Sequence, residues 1–417
     1  MITLYLYLVD LLIPVSLGIV NLLINFDNRN NEQYFFLAII FSLSIFILSF
    51  IKNYYKDYYL INFSEKIKIS VVTWLFAIFI QLIICNYLSI KINLFLLISW
   101  LLIPLIILFI KYYIKLKSNY IIKIPIHLIG TLYTFNDHEI KMLTDKGFLV
   151  FFHENFDEYM NKKKDQSESI IVLNLSVEEL CTVDVGKYNL RESKIYKLDQ
   201  FFEKYLRKIY IYPDENLFNV YKYDRFNYFL KRFVDLFSIV ILFPVLLIIS
   251  IFMLILKKVN KIDESIFYKQ KRYGLNNNPF DIYKMRTMRT DPYIKGNTSK
   301  NDPRIYPFAR IIRNLRLDEL PQIFNVLSGD MHLVGPRAEW VKLSDEYSKM
   351  IINYRSRHVV KPGITGWAQI AYPYGVDAYD AEQKLMYDLY YIKNWSIWLE
   401  IEICFKTLLV MLDKKGF

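Results

Sequence analysis

The chain has 417 residues, of which 54% are hydrophobic and 22% charged, and its formal net charge at pH 7 is +11. This apolar fraction is too high for an ordinary soluble protein, so composition predicts a membrane-embedded part joined to a soluble part. The basic residues flank apolar runs, where they would meet lipid headgroups, which argues against nucleic-acid binding. Three widely separated cysteines indicate neither a disulfide framework nor a zinc site.

Four apolar segments open the chain within residues 1–116, and each is about as long as a membrane-crossing helix. They cover roughly 2–24, 34–51, 69–88 and 94–114. Lysines follow the second and fourth segments, so the positive-inside rule places the N-terminus and everything after Lys115 in the cytoplasm. Asp10 interrupts the first segment, either as a functional acid or, as its place near a helix end favours, at the membrane interface.

Residues 117–222 alternate between strand and helix patterns. Strands are predicted at 124–129, 148–152 and 170–175, which indicates a small Rossmann-like α/β domain on the cytoplasmic side. Only Gly130 stands where a dinucleotide site needs several glycines. We therefore favour a structural or regulatory domain over a nucleotide-binding one.

A second membrane-active segment, 231–257, begins the domain that we assign to residues 223–417. Basic pairs flank its apolar run, Lys231–Arg232 before it and Lys257–Lys258 after it. Pro244 lies in the middle, where it removes a backbone donor and kinks a helix. These features favour a re-entrant helix-break-helix over a fifth spanning helix, which is the alternative.

The stretch 315–337 has the most specific pattern, because two adjacent acids, Asp318 and Glu319, stand among arginines. The arginines are Arg310, Arg313 and Arg316 before the acids, and Arg337 in the Gly-Pro-Arg turn after them. Arginines neutralise and orient phosphate oxygens, and a carboxylate attacks phosphorus or holds a metal. The pattern predicts phosphoryl chemistry, with a salt-bridged acid pair on a helix surface as the alternative.

The string resembles the bacterial sugar transferases, the polyprenyl-phosphate hexose-1-phosphate transferases of the monotopic phosphoglycosyl transferase superfamily. Further blocks match in the same order from about Tyr223 to the C-terminus. They are KRFVD at 231–235, FYKQ at 267–270, YKMRTM at 283–288, VKPGITGWAQ at 360–369 and YDLYYI at 387–392. The resemblance implies a mostly helical monotopic domain with a re-entrant membrane helix, so the whole chain is expected to be a membrane protein of α plus α/β class.

The resemblance also implies a reaction, in which a sugar-1-phosphate passes from a UDP-sugar to a polyprenyl (undecaprenyl) phosphate and UMP is released. It assigns the nucleophile to Asp318, through a covalent aspartyl-phosphosugar, and lets Asp318 and Glu319 hold Mg²⁺. It places Arg313 and Arg337 near phosphate. Such a reaction would initiate capsule, O-antigen or exopolysaccharide synthesis at the cytoplasmic face of the bacterial inner membrane.

Three more basic residues are candidates for binding phosphate. Lys284 and Arg286 are two residues apart in a strand-like stretch and would share one face, although a solvated basic face explains them equally well. Lys361 precedes the Pro362-Gly363 turn. The expected partners are the UDP-sugar, the polyprenyl phosphate and the lipid bilayer, with a homodimer left open.

The chain departs from the commonest pattern of the family near the expected substrate pocket. Arg316 stands where many members have serine, and Ala338 rather than proline follows Arg337. These departures leave the identity of the sugar open. An inert membrane scaffold and a transporter are the alternative functions, and the intact acid pair and the few intramembrane charges weigh against them.

Overall fold

The computed structural model describes residues 9–10, 12–15, 31–51, 62–90, 92, 100, 106–107, 110–111, 124–162, 169–182, 193–212, 225–289, 302–373, 375 and 377–412. By its internal contacts the chain divides into an N-terminal unit, Met1–Ile195, and a C-terminal unit, Tyr196–Phe417. This division falls earlier than the predicted boundary between residues 222 and 223.

The N-terminal unit begins with two described long helices, α1 (Asn31–Ile51) and α2 (Phe63–Tyr87). Of these, α2 is long and apolar enough to cross a membrane, while the apolar part of α1 is the shorter stretch Phe35–Ser49. The predicted first and fourth segments lie mostly outside the described residues. Four membrane-crossing helices therefore stay a prediction.

Asp10 forms a buried ion pair in this unit, and its place relative to the membrane interface stays a prediction. Its carboxylate is 2.7 Å from the ammonium nitrogen of Lys111, and neither side chain is more than 3% exposed. The Ser42 hydroxyl donates to the Asp10 backbone carbonyl at 3.1 Å. A buried charge is tolerated when it is paired and hydrogen-bonded, so the pair links segments that are about a hundred residues apart in sequence.

The rest of the N-terminal unit is the predicted α/β fold. The strands β1 (Ile124–Ile129), β2 (Phe148–His153), β3 (Ser169–Leu173) and β4 (Ser193–Lys197) form one sheet in the order β2-β1-β3-β4. Strand β1 runs parallel to both β2 and β3. The intervening helices are α3 (Asp137–Asp145), α4 (Phe156–Lys162) and α5 (Val177–Thr182).

The carboxyl ends of β1 and β3 meet at the point where such sheets often bind ligands. Here the Asn174 side chain lies at that edge, where its amide donates to the carbonyls of Gly130 and Tyr133. Its carbonyl oxygen accepts from the Tyr133 amide at 2.9 Å. One side chain thus holds two loops together at the place where a dinucleotide site would need glycines.

The C-terminal unit is mostly helical, as predicted, and has two small sheets. Its first helices are α6 (Leu198–Phe201), which continues into a π-turn (Phe202–Leu206), and α7 (Arg225–Val259). The hairpin β5 (Phe267–Tyr273) and β6 (Pro279–Met285) follows. The later elements are α8 (Ala309–Asn314), α9 (Ile323–Ser328), β7 (His332–Val334), α10 (Val341–Met350), β8 (Gly363–Thr365), α11 (Trp367–Ala371), α12 (Ala378–Lys393) and α13 (Ile397–Leu412).

Helix α7 continues through Pro244, so the structure does not show the predicted break. It is the second described helix that is long and apolar enough to cross a membrane. One stripe, spaced three and four residues apart, packs against the C-terminal unit, and the other face is exposed and apolar. The stripe is Ile239, Leu242, Leu246, Ile249 and Met253. Both halves of the helix therefore contact the same unit.

Charged side chains fix the beginning of α7. The Lys231 ammonium group donates to Glu400 and, at 2.9 Å, to the backbone carbonyl of Val334. The Asp235 carboxylate accepts from the Leu333 amide at 2.8 Å and pairs with His332. Lys231, Asp235 and Glu400 are fully buried. These contacts attach the apolar helix to the hydrophilic part of the unit.

Residues 206–212 pack against α11 to α13. The buried Arg207 donates to Glu402 at 2.7 Å, and its backbone carbonyl accepts from the Trp367 indole at 2.9 Å. Lys208 donates to Gln383, and the Ile209 amide donates to the carbonyl of Met386. The sequence pattern predicts this segment as the end of the middle domain, and its described contacts are with helices of the C-terminal unit.

Candidate active site

The acid pair lies on a short 3₁₀ turn, Leu317–Gln322, between α8 and α9. Arg316 precedes the turn in a left-handed conformation (φ 53°, ψ 23°), which is uncommon for a residue other than glycine. Pro321 lies within the turn, before α9 begins. Both Asp318 and Glu319 therefore lie within one tight helical turn, which fixes the backbone of the two acids.

The β5–β6 hairpin supplies cations opposite this turn. Its register pairs Tyr268 with Lys284 and Arg272 with Phe280, so residues at alternate positions of β5 share the face that bears Lys284. The Lys284 ammonium group donates to the Glu319 carboxylate at 2.9 Å, and both side chains are 10% exposed. Lys284 thus contacts the acid pair directly, and its predicted binding of phosphate stays a prediction.

Glu319 accepts from a second cation. The Arg337 guanidinium donates to the same oxygen, Oε1, at 3.0 Å. Burial by itself would raise the pKa of Glu319, but Arg337 and Lys284 oppose it and hold that pKa well below its usual value. Glu319 is therefore ionised across the physiological pH range.

Asp318 has the opposite electrostatic environment. Burial, followed by the negative charge of Glu319, raises the pKa of Asp318 to about 6, against the opposing effects of Lys284 and Arg313. Asp318 makes no ion pair with any described residue. The two acids therefore differ in their electrostatic environment. Cations neutralise Glu319, whereas the carboxylate of Asp318 is protonated more easily than usual.

Arg313 and Arg337 lie on different elements that converge on the acids. Arg313, in the last turn of α8, donates to the Thr287 hydroxyl at 3.2 Å, and its charge lowers the pKa of Asp318. Arg337 follows the Gly335-Pro336 turn after β7. Both arginines therefore act on the acid pair, Arg337 by a hydrogen bond to Glu319 and Arg313 by its charge. Their predicted contact with phosphate stays a prediction.

The turn that carries Arg337 is held by close backbone packing. Gly335 donates its amide to Thr365, and Gly363 donates to Pro336, each at 2.9 Å. A Cβ atom on Gly363 would lie 2.0 Å from the Gly335 nitrogen, so a larger residue does not fit. These glycines let two turns of the chain approach each other closely.

A buried ion pair supports the same turn from behind. Arg357 donates to the Arg337 carbonyl at 3.2 Å and lies 2.7 Å from the Asp388 carboxylate on α12. Burial raises the pKa of Asp388 to about 6 despite the neighbouring Arg357. Sequence reasoning missed this pair, because the two residues are thirty-one positions apart and nothing local links them.

Two residues of β5 near the acids were also missed. Arg272, with a side chain 12% exposed, donates to the Ala338 carbonyl at 3.0 Å and lies 3.7 Å from Glu339. Burial raises the pKa of Tyr268, and the charge of Asp318 raises it further. The available signal was the period of two in FYKQKRY, which places both side chains on the face that bears Lys284.

Three other predicted positions have no described contact with the acids. Arg286 donates to the Ser265 carbonyl at 2.8 Å and stacks over the Tyr268 ring. Lys361 lies close to Gly329, at the other end of α9. Pro244 is on the exposed face of α7. The proposed phosphate contacts of Arg286 and Lys361 stay predictions.

The acid pair is suited to a hard divalent cation. Among the described residues, no group of three or more His, Cys, Asp or Glu side chains could hold a metal ion. Mg²⁺ does not require one, because it binds through one or two carboxylates and completes its shell with phosphate oxygens and water. Asp318 and Glu319 fit this donor set. Glu319 already pairs with two cations, whereas Asp318 has no ion pair with a described residue.

Comparisons with known proteins match this part of the chain. The family model described as bacterial sugar transferase matches residues 226–414. A UDP-N-acetylgalactosamine-undecaprenyl-phosphate N-acetylgalactosaminephosphotransferase of Aeromonas hydrophila is 40% identical over 190 residues, 45% of each chain. A UDP-glucose:undecaprenyl-phosphate glucose-1-phosphate transferase of Xanthomonas campestris pv. campestris is 43% identical over 157 residues, 36% of this chain and 32% of the relative.

These alignments cover less than half the length of the first two relatives. A third relative, the exopolysaccharide production protein PSS of Rhizobium leguminosarum bv. phaseoli, is 37% identical over 199 residues, which is 45% of this chain and 98% of the relative. The match covers almost the entire relative, and the family model covers the part of the chain that carries the acid pair and its cations. The chain therefore belongs to the bacterial sugar transferase family.

Proposed function

We propose that the protein transfers a sugar-1-phosphate from a UDP-sugar to a polyprenyl phosphate, such as undecaprenyl phosphate, and releases UMP. The observation that carries the proposal is the acid pair on its 3₁₀ turn, with Glu319 neutralised by Lys284 and Arg337 and Asp318 without an ion pair among the described residues. Relatives named for this transfer with two different sugars support the reaction class.

The first step would be an attack by Asp318. A carboxylate oxygen forms a bond to the phosphorus that carries the sugar, and the bond from that phosphorus to the oxygen of UMP breaks. UMP leaves with the electron pair, and the enzyme holds an aspartyl-phosphosugar. Arg313 and Arg337 would bind the phosphate oxygens as their negative charge moves toward the leaving group.

The second step would regenerate the carboxylate. A phosphate oxygen of the polyprenyl phosphate attacks the same phosphorus, and the bond to Asp318 breaks. Glu319 would stay ionised throughout and hold Lys284 and Arg337 in place around the reacting phosphate. Two steps let a water-soluble donor and a membrane-bound acceptor use one site in turn, which predicts ping-pong kinetics.

Mg²⁺ is the expected cofactor, held by Asp318 and Glu319. When bound it would neutralise part of the diphosphate charge and stabilise the negative charge that develops on the leaving group.

We further propose that both ends of α7 lie on the cytoplasmic side of the bacterial inner membrane. Because the helix continues through Pro244, it would then lie within one leaflet rather than cross the bilayer. Its packed stripe from Ile239 to Met253 touches the C-terminal unit on both sides of Pro244, and lysines follow its apolar run. Cysteines placed near Arg225 and near Asp263 should both be labelled only from the cytoplasm. External labelling of the second position would make α7 a spanning helix.

The reaction is tested by incubating the membrane-bound protein with individual UDP-sugars, with and without polyprenyl phosphate. We expect UMP from one donor class and, when the acceptor is omitted, a phosphosugar adduct on Asp318. Release of UMP with sequential kinetics and no adduct would remove the covalent step. No UMP from any donor would favour an inert scaffold.

A further inference from the structure

Arg316 has an unusual position next to the acid pair. It is a half-buried arginine in a left-handed backbone conformation, directly before the 3₁₀ turn that bears Asp318. Its carbonyl accepts from the Glu319 amide at 3.2 Å, which fixes the backbone at this point. Strained backbone at a non-glycine residue persists when the surrounding structure holds it, and it is concentrated at functional sites.

The charge of Arg316 is not neutralised by the residues around it. Lys284 and Arg337 both donate to Glu319. Within the described part of the chain, Arg316 makes no ion pair and its side chain makes no hydrogen bond. Of the charges that act on Arg316, that of Arg337 repels it, while those of Glu319 and Asp318 attract it.

The cluster as a whole has an excess of positive charge. Four cations face two carboxylates, so a formal excess of two positive charges remains when both acids are ionised. The cations are Lys284, Arg313, Arg316 and Arg337. A sugar nucleotide carries two ionised phosphates in its diphosphate, which would balance this excess. Arg272 does not alter the balance, because Glu339 lies beside it.

We propose that Arg316 binds a phosphate oxyanion of the substrate, and that the diphosphate of the sugar nucleotide is its source. The donor is favoured because Arg316 is two residues from Asp318, the group that would attack that diphosphate. The phosphate of the polyprenyl acceptor has the same chemistry and is the other source. The inference rests on the proposed function for the name of the substrate, but binding of a phosphate anion can be measured without turnover.

The test uses the full chain in lipid nanodiscs. Arg316→Asn removes the charge and keeps a residue that tolerates the left-handed conformation, and Arg316→Lys keeps the charge. Arg310→Asn is the matched control, because Arg310 is an exposed arginine of the same basic run. Arg316→Gly, which also accepts this backbone, replaces Arg316→Asn if the asparagine variant has a lower thermal midpoint.

Binding of inorganic pyrophosphate is measured by titration calorimetry, and the KM values of donor and acceptor are measured from UMP release. We expect Arg316→Asn to weaken pyrophosphate binding and to raise the donor KM about tenfold to a hundredfold, the range for a hydrogen bond to a charged group. Arg316→Lys should retain part of the binding, and Arg310→Asn should match the wild type.

The outcomes separate the two proposals. A rise in the acceptor KM alone would overturn the donor as the source of the anion. Unchanged pyrophosphate binding and unchanged KM values in Arg316→Asn would overturn the role of Arg316. The proposed reaction would not be contradicted in that case if the wild type released UMP normally. No UMP release by the wild type would instead overturn the reaction, with pyrophosphate binding still reporting on Arg316.

Discussion

Two pairs of acids in the C-terminal unit differ in how their charges are neutralised. On α13, Glu400 pairs with Lys231, and Glu402 pairs with Arg207 at 2.7 Å. Both carboxylates are fully buried. On the 3₁₀ turn, two cations share Glu319, and Asp318 has no ion pair with a described residue. The first pair is complete within the chain, whereas the second keeps an excess of positive charge.

The pKa values follow the same division. Burial opposes ionisation of Glu402, but Arg207 and Lys406 hold its pKa down at about 2. Burial and the adjacent Glu319 instead raise the pKa of Asp318 to about 6. Completed pairs stabilise one arrangement of the chain, while an incomplete cluster has binding capacity left for a charged substrate. Glu400 and Glu402 are therefore structural, whereas Asp318 and Glu319 form the candidate active site, although both sets are built from the same residue types.

The largest expected effect is the loss of turnover in Asp318→Asn. The amide has nearly the same shape but cannot attack phosphorus, so the rate should fall by about ten-thousandfold or more. Because the folded protein raises the pKa of Asp318, its ionised form costs stability at neutral pH, and the thermal midpoint should stay the same or rise. UMP release and thermal unfolding check both parts. Near-normal activity would remove Asp318 as the nucleophile.

The second prediction breaks the completed pair. Lys231→Met leaves Glu400 buried without its cation, so we expect the free energy of unfolding to fall by about 3–5 kcal/mol. The matched control is Lys393→Met, since Lys393 pairs with Glu203 at the surface and should contribute less than about 1 kcal/mol. Denaturant titration of the detergent-solubilised protein measures both. Equal losses in the two variants would contradict a structural role specific to Lys231.

The third prediction concerns Glu319→Gln, which should lower the rate by a factor on the order of a hundred. The neutral side chain binds Lys284 and Arg337 less strongly than the carboxylate does. Both cations would then be less well positioned around the reacting phosphate. We expect kcat to fall more than the donor KM rises. An unchanged kcat would show that Glu319 contributes only to binding.

The fourth prediction is a pH dependence. Asp318 must be ionised to attack, and its raised pKa of about 6 means that the rate should rise with pH and level off above that value. Below it the rate should fall about tenfold per pH unit. Glu319→Gln removes the neighbouring negative charge, so its profile should shift to lower pH. A profile that stays flat down to pH 5 would contradict the assignment.

The fifth and smallest effect concerns where a shortened chain can begin. Sequence reasoning predicts that a chain starting near Tyr223 keeps measurable transferase activity. Such a chain lacks Arg207 and Lys208, which leaves Glu402 with Lys406 as its remaining cation. We expect a chain starting before Tyr196 to be more stable than one starting at Tyr223, as measured by the thermal midpoint. Equal midpoints would make residues 196–222 dispensable.

The sequence by itself determined the features that depend on local pattern. Alternating elements predicted the α/β sheet, and the strand at 124–129 has the predicted bounds. The ordered string around Asp318 and Glu319 identified the acid pair, and Arg313 and Arg337 were predicted with it. Apolar length predicted a long apolar helix at α7, and its place in a membrane stays a prediction. These features were readable because each depends on residues within one element.

Only the tertiary structure decided which charges meet. Lys231 and Glu400 are 169 positions apart, and Arg207 and Glu402 are 195 apart. A pattern in the sequence cannot separate a lysine that completes such a pair from one on a solvated face, because the difference is burial and the distance to a partner. For the same reason, the sequence does not show that Lys231 and Arg207 neutralise Glu400 and Glu402. Folding brings at least one cation to each acid on α13. Around the acids of the 3₁₀ turn it leaves an excess of positive charge that a negatively charged substrate would balance.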